Sequence, residues 1–512
     1  MTPSADSNRQ LAGGLSASKI VVMVVAAAAP MGAVLGIIPM AFALAGGPAT
    51  PVAYLIAGAT LLLFSIGYSA MSRRISTAGA FYVYVAKGLG RIPAVGASYL
   101  AIIAYNATAL TIVAGLGYFG DLIIGGVLGV SVPWVVYALA GAIIIALFGY
   151  RQVDLAARVL TVLLVLEVGA LIVLDLAMVV HKGWDAFPLE IFAPDPSLNL
   201  GTFGLAAMFA FQCFIGFEST ALYREEAKNP RKSIPRATYT SVGIITVFYF
   251  LTTWITVGAV GTDEIRSFGA DNAGDMYFVL SSEFASESLT AVMQVVLLTS
   301  LLASLLALHN ASSRYMFNAG REGLLPRWIG VPHRTQGTPS RASLVQTGIN
   351  VVVIIIFALI GADPYYGFGT TMTGLGTLGI LLLQVLAALA IMLYFIKNRE
   401  KLIYIVAPAL ALIVFSVVVA LTIGNFSILT QMDSWVVNVI PWALFAVALL
   451  GMGYGLWLRT YKPRIYAQLG EGPESETLRP VHTPTSHDGS SPQQVLLAGD
   501  PAKESAGTEP TS

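Results

Sequence analysis

Two carboxylates sit deep within stretches of this chain that are otherwise apolar enough for lipid: Glu167 in VLLVLEVGALIV and Glu218 in CFIGFESTALY. A carboxylate at the centre of a membrane span costs roughly 2.5–3.5 kcal/mol on insertion scales, and chains that keep one generally use it. Kept from water, a carboxyl group resists ionisation and can then exchange a proton near neutral pH. Glu218 is the first candidate for such a carrier and Glu167 the second. The alternative for each is a structural bond to a neighbouring helix. Gly216, two residues before Glu218, lets the backbone unwind or admit a close neighbour. Unwound backbone at membrane depth is tolerated only against protein or a wet cavity. Residues Ile215, Gly216, Phe217 and Glu218 therefore read as one wall of a binding site, with a plain glycine kink as the simpler reading.

The elements that must hold these groups are helices. The 512 residues are 56% hydrophobic and 11% charged, with mean hydropathy +0.76, whereas a soluble domain carries about 25% charged residues. An all-α polytopic membrane protein is expected, and a net charge of zero gives no sign of a nucleic-acid partner. Spans of about twenty apolar residues fall at 20–45, 51–71, 93–119, 132–148, 156–180, 202–223, 239–260, 289–315, 344–360, 372–395, 402–423 and 435–458, twelve in all. The N-terminus lacks the pattern of a cleaved leader, so the first span is expected to be a signal anchor. Residues 1–17 and 459–512 are polar tails around a body at 18–458, and the second tail lacks the apolar content to fold. Lys and Arg cluster before the first span and after the even-numbered ones, which puts both termini in the cytoplasm and the body in the cell membrane. Residues 261–288 form the longest external loop, with an amphipathic second half that either lies across the outer mouth or is ordinary surface.

A second interruption lies in the first span, in AAAAPMGAVLGIIP at 26–39. Pro30 lacks an N–H and clashes with the preceding turn, and Gly32 eases the opening. The first and sixth spans are thus both interrupted, five spans apart. Interruptions at corresponding places in two halves are the best sequence pointer to a transport site. The halves are 18–180 and 200–396, in opposite topology because five is odd, with the last two spans at 402–458 outside the repeat. Each break leaves free N–H groups on one half-helix and free carbonyls on the other; the former attract an anion and the latter a cation. A zwitterion matches both, which makes an α-amino acid the natural cargo. Pro30, Met31, Gly32 and Ala33 would border its carboxylate, with amides from the last three. Phe211, Cys213, Phe214 and Ile215 would offer carbonyls and apolar surface, and Phe217 a lid.

The run IGFESTALYREEAKNPRKSIPRA at 215–237 resembles the sixth helix and following loop of the amino acid–polyamine–organocation permeases, with Gly216-Phe217-Glu218, Glu225-Glu226, Asn229-Pro230 and Ile234-Pro235-Arg236-Ala237 in place. ISTAGAFYVYVAKGLGR at 75–91 and HNASSRYMFNAGREGLLP at 309–326 resemble two further stretches of that superfamily. The resemblance covers the first ten spans in order. It implies a 5+5 inverted repeat of the LeuT type, alternating access, and proton-driven symport or exchange, without fixing the cargo. Many members carry G-x-G at the first break, where this chain has Pro30-Met31-Gly32. Gln212 stands where many exchangers of cationic amino acids have a tryptophan.

Thr299, Ser300 and Ser304 in the eighth span could instead hold sodium. Asn106 in the third span could reach the cargo or join helices. His309 reads as structural, and Arg224, Glu225 and Glu226 as an inner gate or a solvated face. Cys213 is the one cysteine, so no internal disulfide forms. No nucleophile–base pair or metal-ligand set is present to suggest an enzyme or a cofactor. The expected function is proton-coupled amino-acid transport, with amine or polyamine carriage, or exchange, as the alternatives.

Overall fold

In lipid, only a helix satisfies every backbone N–H and C=O within one segment, and the apolar runs fold accordingly. The computed structural model describes residues 16–75, 81–150, 157–193, 199–224, 227–333, 338–431 and 435–470, and no strand occurs among them. Among the described residues, eleven helices are long and apolar enough to cross a membrane, and Trp134–Tyr150 is a shorter twelfth. The twelve stand where the sequence places them. Large apolar side chains such as Val165, Leu176, Val295, Ile413 and Leu450 are exposed around the outside, which suits a lipid-facing belt. The chain is a multi-pass membrane protein.

Several boundaries are set by local chemistry. Ser16, Asn199 and Ser286 cap their helices by accepting from the backbone amides of Lys19, Thr202 and Leu289, satisfying groups that would otherwise be orphaned. The seventh helix, Pro230–Val260, starts earlier than the expected 239, because a proline at the first helical position has no N–H to satisfy. The last long helix, Trp435–Tyr461, is followed by a short one, Pro463–Gln468. Residues 459–470, expected to begin a polar tail, are thus largely helical. Residues 1–15 and 471–512 lie outside the described residues.

Both interruptions are present. The first helix runs Ala17–Ala27 and resumes at Pro30–Gly36. The gap lies just before Pro30, with Ala29 left-handed at φ 47°, a conformation that costs a non-glycine residue about 1–2 kcal/mol. The opening is placed there because Pro30 cannot donate back to the preceding turn, and Gly32 falls within the first turn of the second half. The sixth helix ends at Gln212, passes through a turn at 213–216, and continues as a 3-10 helix, Phe217–Arg224. Gly216 closes that turn at φ 112°, where a β-carbon would be strained.

The first half of helix one touches the second half of helix six, and the first half of helix six touches the later turns of helix one. The two broken rods therefore run antiparallel, as opposite topology of the halves requires. On the side carrying the termini, the short helix Phe81–Gly88 follows the second span. There Arg91 donates to the carbonyls of Ala467 (2.8 Å) and Leu469 (3.2 Å), and the Tyr82 hydroxyl donates to Glu322. On the other side, residues 261–288 form the helices Ile265–Asn272 and Met276–Phe284, and Arg266 donates to the Ala45 carbonyl at 3.0 Å.

Candidate functional site

The breaks leave backbone groups unpaired at the middle of the fold. At the first, the Ala33 amide closes on the Ala29 carbonyl at 2.9 Å. The Met31 amide points at Glu167 Oε2, 3.5 Å away. The Gly32 amide has no partner among the described residues. At the second, the carbonyls of Phe211, Gln212 and Phe214 each accept one amide from the turn, while those of Cys213 and Ile215 accept none among the described residues.

A cavity opens between the two breaks, bordered by Ala29, Gly32, Ala33, Gln212, Cys213 and Ile215. It extends away from the termini, past Ile37 and Met40, to Phe119 at the end of the third helix and Tyr365 in the turn before the tenth. Most of the lining is apolar. The polar exceptions are Thr108 and Thr111, whose hydroxyls bond to their own helix, Gln212, and Tyr365. Thr377 donates to Gln212 Oε1, which leaves the amide nitrogen free to donate. The Tyr365 hydroxyl is buried without a partner. No Asp or Glu borders the cavity among the described residues.

The terminus side is closed. Tyr105, one turn below Thr108, stacks on Tyr315 with ring centroids 4.9 Å apart. The Tyr105 hydroxyl donates to Glu218 Oε1, the Gly216 amide to Oε2 (3.1 Å), and the Tyr68 hydroxyl to the Glu218 carbonyl (2.8 Å). Glu218 is therefore buried beneath the cavity as the centre of a tyrosine-lined plug. The side chains of 221–226 lie outside the described residues, and with them the gate network expected at Arg224, Glu225 and Glu226.

The structure brings Gly32, Ala33, Cys213 and Ile215 to the cavity wall, with Met31 behind it against Glu167. Pro30 is buried at the start of its half-helix and does not border the cavity. Three aromatics point elsewhere. Phe211 packs on Phe415, Phe214 on Tyr249, and Phe217 on Phe64 and Tyr68. Phe217 is thus core packing and no lid, because its ring leaves the turn on the side facing the second helix. Asn106 joins helices, donating to Ile102 O (2.7 Å) and Ser312 Oγ (2.8 Å). Thr299 is exposed and bonds to its own helix, so only Ser300 and Ser304 remain of the sodium set; both are buried with unpartnered hydroxyls. His309 bonds to Ser343 at 2.7 Å, in keeping with a structural role.

The sequence left three residues without the place the structure gives them. Gln212 was visible as the lone polar residue of FAFQCFIG. Tyr365 arrives from a distant turn and carries no local signal. Asp175 corrects the expectation of only two deep carboxylates: it is 8% exposed and accepts from Thr252 at 2.7 Å. It lies near the end of the fifth helix. The loop that follows folds over the seventh helix, with Trp254 donating to the Pro188 carbonyl at 2.8 Å, and buries it.

Comparison with known proteins bears on the family. The sequence profile described as "Amino acid permease" matches residues 15–452. The branched-chain amino acid permease BcaP of Lactococcus lactis subsp. cremoris is 27% identical over 350 residues, 65% of this chain and 72% of that one. The low-affinity putrescine importer PlaP of Escherichia coli K12 is 26% identical over 329 residues, covering 62% and 70%. The methylthioribose transporter of Bacillus subtilis is 24% identical over 333 residues, covering 62% and 68%.

Proposed function

From its place in the amino acid permease family, to which this chain belongs, we propose that the protein carries a small apolar α-amino acid across the cell membrane by alternating access, driven by protons. The observation that carries this reading is the cavity between two antiparallel broken helices. It offers the free Gly32 amide on one wall and the free carbonyls of Cys213 and Ile215 on the other. A carboxylate suits the first and an ammonium the second. Ile37, Met40, Ile112 and Leu301 supply the apolar surface for a side chain. Gln212 and Tyr365 are added as donors for the cargo. A diamine such as the cargo named for the putrescine relative would want carboxylates in the wall, and the described lining holds none.

Glu167 is the coupling group in this reading. Its carboxylate sits against the Met31 amide, beside the place the cargo carboxylate would take. Ionised, it competes with the cargo for the half-helix N-terminus; protonated, it lets go. Glu218 works differently, holding the plug of Tyr68, Tyr105 and Tyr315 closed on the terminus side. Both termini are cytoplasmic in this reading, so the cavity faces outward.

Leucine uptake into proteoliposomes is the test. Accumulation faster under an inward pH gradient than without one, and indifferent to sodium, is the expected result. Dependence on a sodium gradient would move the coupling to Ser300 and Ser304. Robust putrescine uptake with no amino-acid uptake would replace the cargo.

A further inference from the structure

The fifth helix, Ala157–Lys182, carries two buried carboxylates, and the reading above uses only Glu167. Asp175 is eight residues further on, about 12 Å along the axis at 1.5 Å per residue, toward the face away from the termini. One of its oxygens meets Thr252 Oγ1 at 2.7 Å; the other, Oδ1, is buried with no partner. No cation faces it among the described residues. Tyr277 is the titratable group opposite it, from the loop helix Met276–Phe284. The seventh helix presents the Thr252 hydroxyl to it. On its own helix, His181 and Lys182 turn onto the ring of Phe284.

Between Asp175 and Glu167 the core is not apolar throughout. Thr252 and Thr256 lie one turn apart on one helix face, and Thr256 Oγ1 meets the Tyr277 hydroxyl at 3.1 Å. Tyr277 has Asp175 and Cys213 as electrostatic neighbours. The Tyr54 hydroxyl meets Cys213 Sγ at 3.3 Å, and its ring lies 5.7 Å from that of Tyr249. The Tyr249 hydroxyl is buried without a partner, with Glu167 and Cys213 near it. The hydroxyl-bearing residues between the two carboxylates are thus Thr252, Thr256, Tyr277, Tyr54 and Tyr249, with direct contacts at Asp175–Thr252 and Thr256–Tyr277, while Thr256 also donates to the Thr252 carbonyl at 2.7 Å; motion of the side chains or water must bridge the remaining steps. A hydroxyl both donates and accepts, and both orphaned oxygens lie on this run.

We infer that Asp175 is a second proton-binding site, the port through which protons from the side opposite the termini reach Glu167 along this line of hydroxyls. Asp175 takes a proton from water at the outer end of the fifth helix, forming an O–H bond. Each hydroxyl along the run accepts one proton and releases another. The last proton bonds to Glu167, whose hold on the Met31 amide then breaks. One proton enters, one is bound, and no electron moves. The inference rests on the coupling role given to Glu167 above.

The experiment uses the full chain in proteoliposomes with an internal pH dye and labelled leucine. Uptake driven by a pH gradient is compared with leucine counterflow at equal pH, which needs no net proton movement. Asp175→Asn is expected to slow gradient-driven uptake and proton entry by roughly a hundredfold, the scale of a lost proton-transfer group, with counterflow within about twofold. Asp175→Glu restores both. Tyr249→Phe, which removes one hydroxyl and keeps the ring, gives the same split and covers the case in which the Asn variant does not fold. Gradient-driven uptake at the wild-type rate in both Asp175→Asn and Tyr249→Phe overturns the inference and leaves the coupling reading standing. A wild-type protein whose uptake ignores the gradient removes both together.

Discussion

Gln212 and Tyr365 are the polar side chains in the cavity with a donor to spare, so their loss is felt in binding. Gln212→Ala and Tyr365→Phe are each expected to raise the apparent KM for leucine about threefold to tenfold, the worth of one net hydrogen bond. Uptake titrations check this; an unchanged KM in both would take them out of the site. Gly216→Ala puts a β-carbon at φ 112° and is expected to cost about 1–2 kcal/mol, read as a lower thermal midpoint in detergent together with lost uptake. These residues differ in how far the sequence revealed them. Gly216 and Glu218 stood out because a glycine and an acid interrupt an apolar run. The directions of Phe211, Phe214 and Phe217 did not, since a turn of four residues rotates each ring by an amount that only its neighbours settle.

At the scale of elements, the breaks were legible and their register was not. Pro30 marks the first opening through its missing N–H, yet the gap falls on Ala28 and Ala29, which carry no signal of their own. Long-range docking was invisible altogether. The short helix Pro463–Gln468 is held by Arg91 and lies beside the contact between Tyr82 and Glu322. Glu322 follows the last turn of the eighth helix. Burial pushes its carboxyl up to about 7, against the smaller opposing effects of Tyr82, Arg321 and the Gly470 backbone. A carboxyl raised in the docked state binds more protons docked than free. Docking is therefore strongest below its ordinary value of 4.5 and is lost as pH rises through about 7. Hydrogen exchange at 463–470, corrected for its intrinsic rate, is expected to speed up between acid and neutral pH in the wild type. Glu322→Gln should flatten that response; an unaltered one would release Glu322 from the role.

For the whole molecule, composition alone dictated a helical membrane body, because hydropathy and span length leave no other way to satisfy the backbone. The antiparallel crossing of helices one and six followed from their being five spans apart, an odd offset that reverses direction. The state of the transporter did not follow from anything in the sequence, since alternate packings of one chain differ by only a few kcal/mol. Here the tyrosine plug closes the terminus side and the cavity extends the other way. Tyr105→Phe removes the hydroxyl that Glu218 Oε1 accepts and is expected to shift the balance toward the opposite opening. Leucine applied from the terminus side of oriented vesicles would then bind more tightly, by roughly a factor of ten for 1.4 kcal/mol. Equal affinity in wild type and variant would argue that the plug does not gate.

Cys213 borders that cavity and is the single cysteine of the chain. A maleimide or spin label therefore has one address on this protein, with no background thiols to remove first. In the proposed cycle a reagent reaching it uses the cargo's route and must part the thiol from the Tyr54 hydroxyl, 3.3 Å away. Its rate of attachment, measured from each face of a sealed vesicle, reads out the fraction of time the doorway on that face stands open.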